Sequence, residues 1–458
     1  MTARAPLLTA LMLGLASGAI LVPLNSTMLA VGLPGVMSEF GLGPNTVASL
    51  VTLYLGSVAI ALPLSGALGD RFGHRSLFVA GVVGFGAASF VASIATSFGI
   101  LELARVLQAA CGALVSTTST ALVRESAPVD RRGEAFGIFD LLVSTSAAIG
   151  PFIGGLLVGA FGWRSIFVLA IPIAVLAAVL VAVVVRPAER HAPGPRARLD
   201  VPGLVLLALV IVGLLVVLRN GLVGAGLAIA VATIAVAVVL VAFELRTERP
   251  AIDIRLLARP SFAGALIGVF GATVVLHGCF LIVPLLVEEL LGGSARSSGL
   301  VLLGIAGVSA LVAPWGGRLS DRRGRRLLGV AGAAVVALGL AGLSIPIGTA
   351  SEVAVGLLLG VVGLGLGLSG SPRQAAAFDG VAADRIGMAT GTYYTARYLG
   401  GVVGASLAGA VLGGTVSQAG VSLGFGILTV AAFVVVAVSF ALPSRSRDSS
   451  LPTPLVDG

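Results

Sequence analysis

Six polar side chains stand inside otherwise apolar runs of this chain: Asn25, Arg105, Gln108, Asp140, His277 and Arg397. A polar or ionisable group surrounded by hydrocarbon is costly, so each is a candidate for handling a substrate or a proton. Asn25 can hydrogen-bond but cannot titrate. Arg105 can attract an anionic group, hold a place in a charge relay, or bond neighbouring backbone carbonyls. His277 is either a protonatable switch or a neutral imidazole packed between helices. Asp140 is the one carboxylate placed well inside a run and away from its outer edge. It can carry a coupling proton, cap its helix or pair with an arginine. Arg397, in "YYTARYLGG", can bind substrate or join parts of the chain. The neighbouring Tyr393, Tyr394 and Tyr398 read as aromatics at a membrane interface.

The elements that position these groups follow from composition. Of 458 residues, 57% are hydrophobic and 10% charged, too little polar surface for a soluble chain of this length. Counting runs of about 20 apolar residues yields fourteen membrane helices, from 8–34 at the start to 421–442 at the end. The N-terminal segment resembles a signal peptide, but its apolar stretch continues to Pro34 and reads as a retained first span. The net charge of +8 comes entirely from arginine, which lies in short segments between the runs. That is a topology signal, not a nucleic-acid surface. It places the N-terminus and most of the arginines in the cytoplasm, with Arg373 among the inner loops. At about 1.5 Å per residue, Asn25, Arg105, Gln108 and His277 fall roughly 4–9 Å outward of the centres of their spans. Cys111 and Cys279 lie inside apolar runs and form no metal or redox spacing. No metal and no cofactor are expected.

A repeat organises the chain. "GALGDRFGHRS" at 66–76 is echoed by "GGRLSDRRGRR" at 316–326, and Asp70 and Asp321 lie 251 positions apart. Both copies face the cytoplasm, which requires an even number of spans between them. Residues 1–185 form one six-helix bundle and 262–442 another. Between them, 186–261 holds cytoplasmic linkers and an inserted hairpin with spans 201–218 and 221–244. Residues 443–458 form a cytoplasmic tail.

The first copy resembles the loop signature of the major facilitator superfamily through Gly66, Gly69, Asp70, Arg71, Gly73 and Arg75. The second does so through Gly317, Asp321, Arg322, Gly324 and Arg325. "RVLQAACGA" from Arg105 resembles a further signature of that family, with Ala109 where a glycine is expected. "GPFIGG", with Gly150, Pro151, Gly154 and Gly155, resembles the motif of its antiporter branch, and "GWRSIF" follows as in the fourteen-span drug:proton antiporters. The resemblance covers both halves. It implies an all-α fold of two six-helix bundles around a central cavity, with the repeated loops latching the halves on the cytoplasmic side. One departure stands out. Where that branch carries a first-span aspartate, "LNSTMLAVGLP" places Asn25, so proton coupling needs another group.

The resemblance implies a secondary active transporter of the cytoplasmic membrane, both termini inside, working by alternating access as a monomer. Efflux of a small amphipathic or drug-like compound by proton antiport is the leading function. Uptake or facilitated diffusion of another small metabolite without protons is the alternative. An intramembrane enzyme would need a metal cluster or a nucleophile-base pair within the spans, and the three histidines do not supply one. A channel would favour oligomeric pore-lining repeats. No phosphate-binding loop signals ATP drive. The expected partners are a small-molecule substrate, protons and the lipid bilayer, with no nucleic acid.

Overall fold

A computed structural model describes residues 4–126, 132–184, 200–221, 224–247, 254–345, 351–379, 381, 386–413 and 415–444. Every regular element among them is helical. The first half comprises α1 (Arg4–Phe40), the short α2 (Pro44–Val47), α3 (Ser49–Phe72), α4 (His74–Ser93), α5 (Phe98–Ser126), α6 (Arg132–Phe161) and α7 (Ser165–Val184). A hairpin of α8 (Val201–Asn220) and α9 (Ala225–Arg246) follows. The second half comprises α10 (Pro260–Leu285), α11 (Ala295–Arg323), α12 (Arg325–Ser344), α13 (Glu352–Phe378), α14 (Ile386–Leu412) and α15 (Gln418–Ser439). Fourteen helices among the described residues are long and apolar enough to cross a membrane.

The two halves pack by the same rules. In the first, α1 lies on α6 and α7, α5 on α3 and α4, and α4 on α7. In the second, α10 lies on α14 and α15, α13 on α11 and α12, and α12 on α15. The seams between the halves are also paired, since α6 meets α11 and α3 meets α14. The hairpin rests through α8 on α3 and α14, against the second of these seams.

Several helices outrun their apolar stretches, and this changes the character of the repeated motif. It is not an extended loop. α3 continues to Phe72 and α4 begins at His74, with only Gly73 between them, at φ 88°. α11 continues to Arg323 and α12 begins at Arg325, with Gly324 at φ 90°. Each turn is closed by a main-chain bond of 2.9 Å, from Gly73 N to Gly69 O and from Gly324 N to Ser320 O. A side chain at this φ clashes with its own backbone, so glycine is what permits a one-residue reversal between two helices.

Arg373 corrects the inner-loop assignment. α13 extends past its apolar run to Phe378, and Arg373 is 4% exposed within it. Its guanidinium donates to Gly268 O at 2.5 Å and to Ser369 Oγ at 2.9 Å. Buried acceptors on α10 and one turn back on α13 let the helix keep its charge indoors.

Let the loop face be the end of the bundle bearing Gly73 and Gly324, and the far face its opposite. At the far face one continuous core joins both halves, including Leu29, Leu33, Trp163, Ile282, Leu302 and Leu412. At the loop face each half keeps its own. Leu15, Phe78, Leu122 and Val181 cluster in the first. Phe262, Ala376, Tyr393 and Leu442 cluster in the second. The halves therefore share the far-face core and a second cluster in which Val402 of α14 joins Tyr54 and Leu55 of α3, and they pack separately at the loop face.

Candidate functional site

Four helices of the first half bring their polar side chains together. Arg105 on α5 is 1% exposed, Asn25 on α1 is 2% exposed, and Gln108 and Ser89 are fully buried. One Nη of Arg105 donates to Asn25 Oδ1 at 2.7 Å and to Gln108 Oε1 at 3.0 Å. Its Nε donates to Leu50 O at 3.4 Å. Gln108 Nε2 donates to Ser89 Oγ at 2.8 Å, and Ser89 donates to Phe85 O at 2.7 Å. The guanidinium lies over the Tyr54 ring, 3.9 Å from its centroid, where the ring's negative face attracts a cation.

Two donors in this cluster lack an acceptor: Asn25 Nδ2 and the Tyr54 hydroxyl. The Asn25 amide cannot simply be turned over, because Arg105 only donates and needs the carbonyl oxygen toward it. No carboxylate among the described residues forms an ion pair with Arg105. The site is rich in donors and positively charged. It contains no nucleophile-base pair, and no group of three metal-binding side chains occurs among the described residues.

The other expected site residues fall elsewhere. His277 on α10 takes Thr273 O at 3.1 Å and meets Phe280 edge-on. It sits over Gly401 of α14, whose other neighbour is Leu55 of α3, so it lies on the same seam as Tyr54 but outside the network. Arg397 is exposed, 5.9 Å from the Tyr394 ring centroid. Tyr393 is not interfacial as expected; it is 4% exposed, because its ring packs against Phe378 and Tyr394. The Asp70 and Asp140 side chains lie outside the described residues. Tyr54 and Ser89 were not singled out from sequence. A lone tyrosine or serine in an apolar run carries no spacing signal, and only helix rotation brings each to Arg105.

The Gly-Pro motif serves two partners at once. A side chain at Gly150 or Gly154 would strike Thr27 or Met28 of α1. At Gly155 it would come within 2.6 Å of Ala295 O on α11, and at Gly299 of α11 within 2.4 Å of Pro151 O. Backbones of the two halves thus touch directly across the α6–α11 seam, the close packing that small residues allow in lipid. The following "GWR" closes the far face. Trp163 Nε1 donates to Glu39 Oε2 at 2.8 Å, Arg164 pairs with Glu39, and Arg164 donates to Ala95 O at 2.8 Å.

The repeated turns tie each half to itself. Arg75 donates to Ala182 O at 2.7 Å near the end of α7. Arg326 donates to Leu442 O at 2.9 Å just past α15. His74 meets Glu125 of α5 at 2.8 Å, and Arg325 pairs with Asp379 at the end of α13. Gly66, Gly69 and Gly317 lie in the last turns of α3 and α11, and Arg71, Asp321 and Arg322 are exposed.

The family model described as Major Facilitator Superfamily matches residues 15–405. The chain belongs to that superfamily. It is a multi-pass membrane transporter of that superfamily. It is 29% identical over 96% of its length to the MFS-type transporter YwoD of Bacillus subtilis (strain 168), covering 97% of that protein. It is 31% identical over 89% of its length to the multidrug resistance protein Stp of Mycobacterium tuberculosis, covering 76% of that protein. In fold it resembles the crystal structure of a bacterial homolog of the human lysosomal transporter Spinster, in an inward-facing and occupied conformation. The TM-score is 0.71, with 14% identity over 95% of this chain and 96% of the other.

Proposed function

We propose that this transporter exports a small amphipathic or drug-like compound across the cytoplasmic membrane by alternating access, in exchange for protons. The observation that carries the reading is the asymmetry of the cores. The halves share a hydrophobic cluster at the far face and a smaller one along the α3–α14 seam, and keep separate ones at the loop face. In a rocking mechanism that is a state closed at one face and parted at the other. The arginine-rich loops put the loop face in the cytoplasm, with both termini. The state is then inward-facing. Resistance-named relatives such as Stp support export.

In this reading the repeated turns are the cytoplasmic latch. When the halves close at the loop face, Asp70, Asp321 and the exposed Arg71 and Arg322 meet partners across the gap. The hydrogen bonds of Arg75 and Arg326 keep each half rigid meanwhile. Asn25 cannot carry the coupling proton, so Asp140 and His277 are its candidate carriers. The lack of a first-span carboxylate also supports a second reading, facilitated diffusion or uptake without protons.

The test is flux of a fluorescent drug-like substrate in sealed proteoliposomes with and without an imposed pH gradient. Accumulation driven by the gradient supports antiport. Flux that ignores the gradient leaves the second reading, and no protein-dependent flux for any of a panel of amphipathic compounds overturns export.

A further inference from the structure

The cluster around Arg105 holds a fixed positive charge with only neutral acceptors. Its partners are an amide oxygen from Asn25, another from Gln108 and the main-chain oxygen of Leu50. A guanidinium does not discharge at any physiological pH. Buried without a counter-charge, it has lost hydration that no carboxylate among the described residues restores. Beside it stand two further donors, Asn25 Nδ2 and the Tyr54 hydroxyl, both buried and both lacking an acceptor. Three helices thus bring a cation and two unpartnered donors together, with Asn25 and Tyr54 each in contact with the guanidinium.

We propose that this is the recognition site for an anionic group, a carboxylate or phenolate, on the transported compound. The inference rests on the transporter reading above and narrows its substrate class. Position supports access. Tyr54 belongs to a hydrophobic cluster that also contains Val402 of α14, with Tyr398 packed against it, so it lies on the α3–α14 seam between the halves. Parting that seam uncovers Tyr54 first, with Arg105 stacked behind its ring. An acid arriving there accepts from the guanidinium, the Asn25 amide and the phenol. An ammonium meets the like charge of Arg105, and the phenol oxygen of Tyr54 is the one acceptor of the three groups left for it.

Three probes that share one ring system test this: 2-naphthoate, its methyl ester and 2-naphthylmethylammonium. Binding to the full-length protein in nanodiscs is followed by the fluorescence anisotropy of the naphthalene. The acid is expected to bind at least about tenfold more tightly than the ester, as charge-assisted hydrogen bonds dictate, and the ammonium most weakly. Arg105→Gln removes the preference for acid over ester, and Arg105→Lys retains part of it. Asn25→Asp places a carboxylate where the amide oxygen now lies 2.7 Å from the guanidinium, and abolishes the preference by supplying the anion internally. Arg105→Lys, which keeps the charge, serves as the control for folding. Equal binding of acid and ester by the unaltered protein overturns the proposal. So does a preference that survives Arg105→Gln, or no binding by any of the three. A protein that distinguishes acid from ester yet moves neither across a vesicle defeats the transporter reading and leaves the site standing. One that transports but binds acid and ester equally defeats the site alone.

Discussion

Arg75 and Arg326 stand 251 positions apart, and each donates to a carbonyl at the loop-face end of the last helix of its own half, Ala182 O and Leu442 O respectively. The neighbouring His74 and Arg325 make equivalent pairs with Glu125 and Asp379. The repeat is therefore visible in bonds as well as in letters. Its glycines allow the turn, and its basic residues stitch the first helix after the turn to the end of the bundle.

Those turns are expected to be intolerant of any side chain. Gly73→Ala and Gly324→Ala should each destabilise the protein by about 1–3 kcal/mol, the cost of holding an L-residue at a φ near 90°. Thermal unfolding in detergent checks this. Gly66→Ala, with open space around its α-carbon, should leave the melting temperature nearly unchanged.

Tyr54 separates two contributions to the buried cluster. Its hydroxyl is buried with no partner, so Tyr54→Phe should not destabilise the protein and should raise its stability by up to about 1–3 kcal/mol. Tyr54→Leu removes the ring beneath the guanidinium and should cost about 1–2 kcal/mol, the range for a desolvated cation–π contact plus lost packing. Equal melting temperatures for the two variants would show that the stacking contributes nothing.

At the α6–α11 seam, Gly155→Ala should prevent the far face from closing, because its methyl group would meet the Ala295 carbonyl. Spin labels on the far-face ends of α6 and α11 should report longer distances than in the parent protein, and transport should fall. An unchanged distance distribution would remove this contact from the gate.

Topology is testable with single cysteines at exposed positions. A membrane-impermeant maleimide should label Ser97→Cys at the far face in intact cells. Ser76→Cys at the loop face should react only after permeabilisation. External labelling of position 76 would invert the assigned orientation.

Coupling is tested at Asp140. Asp140→Asn should abolish accumulation driven by a pH gradient and leave substrate exchange measurable. A variant that still concentrates substrate in response to the gradient assigns the proton to another group, with His277 next in line.

Hydropathy and the arginine pattern determined the number of helices, their order, the inserted hairpin and the division around the repeat. These are properties of the chain read in one dimension, since a run of about 20 apolar residues must cross the bilayer whatever it packs against. The sequence also placed Asn25, Arg105 and Gln108 at similar depth. It could not say that Arg105 would reach Asn25, 80 positions away, or that Tyr54 would lie beneath it. Nor could it put His277 outside that cluster or bury Arg373. Those outcomes depend on how far each helix is rotated about its axis. In lipid that rotation leaves little periodic trace, because core and bilayer are both apolar and small residues and hydrogen bonds choose the facing side. The shared far-face core and the separate loop-face cores were decided in the same way, by the docking of two preformed bundles along seams that no single stretch of sequence contains.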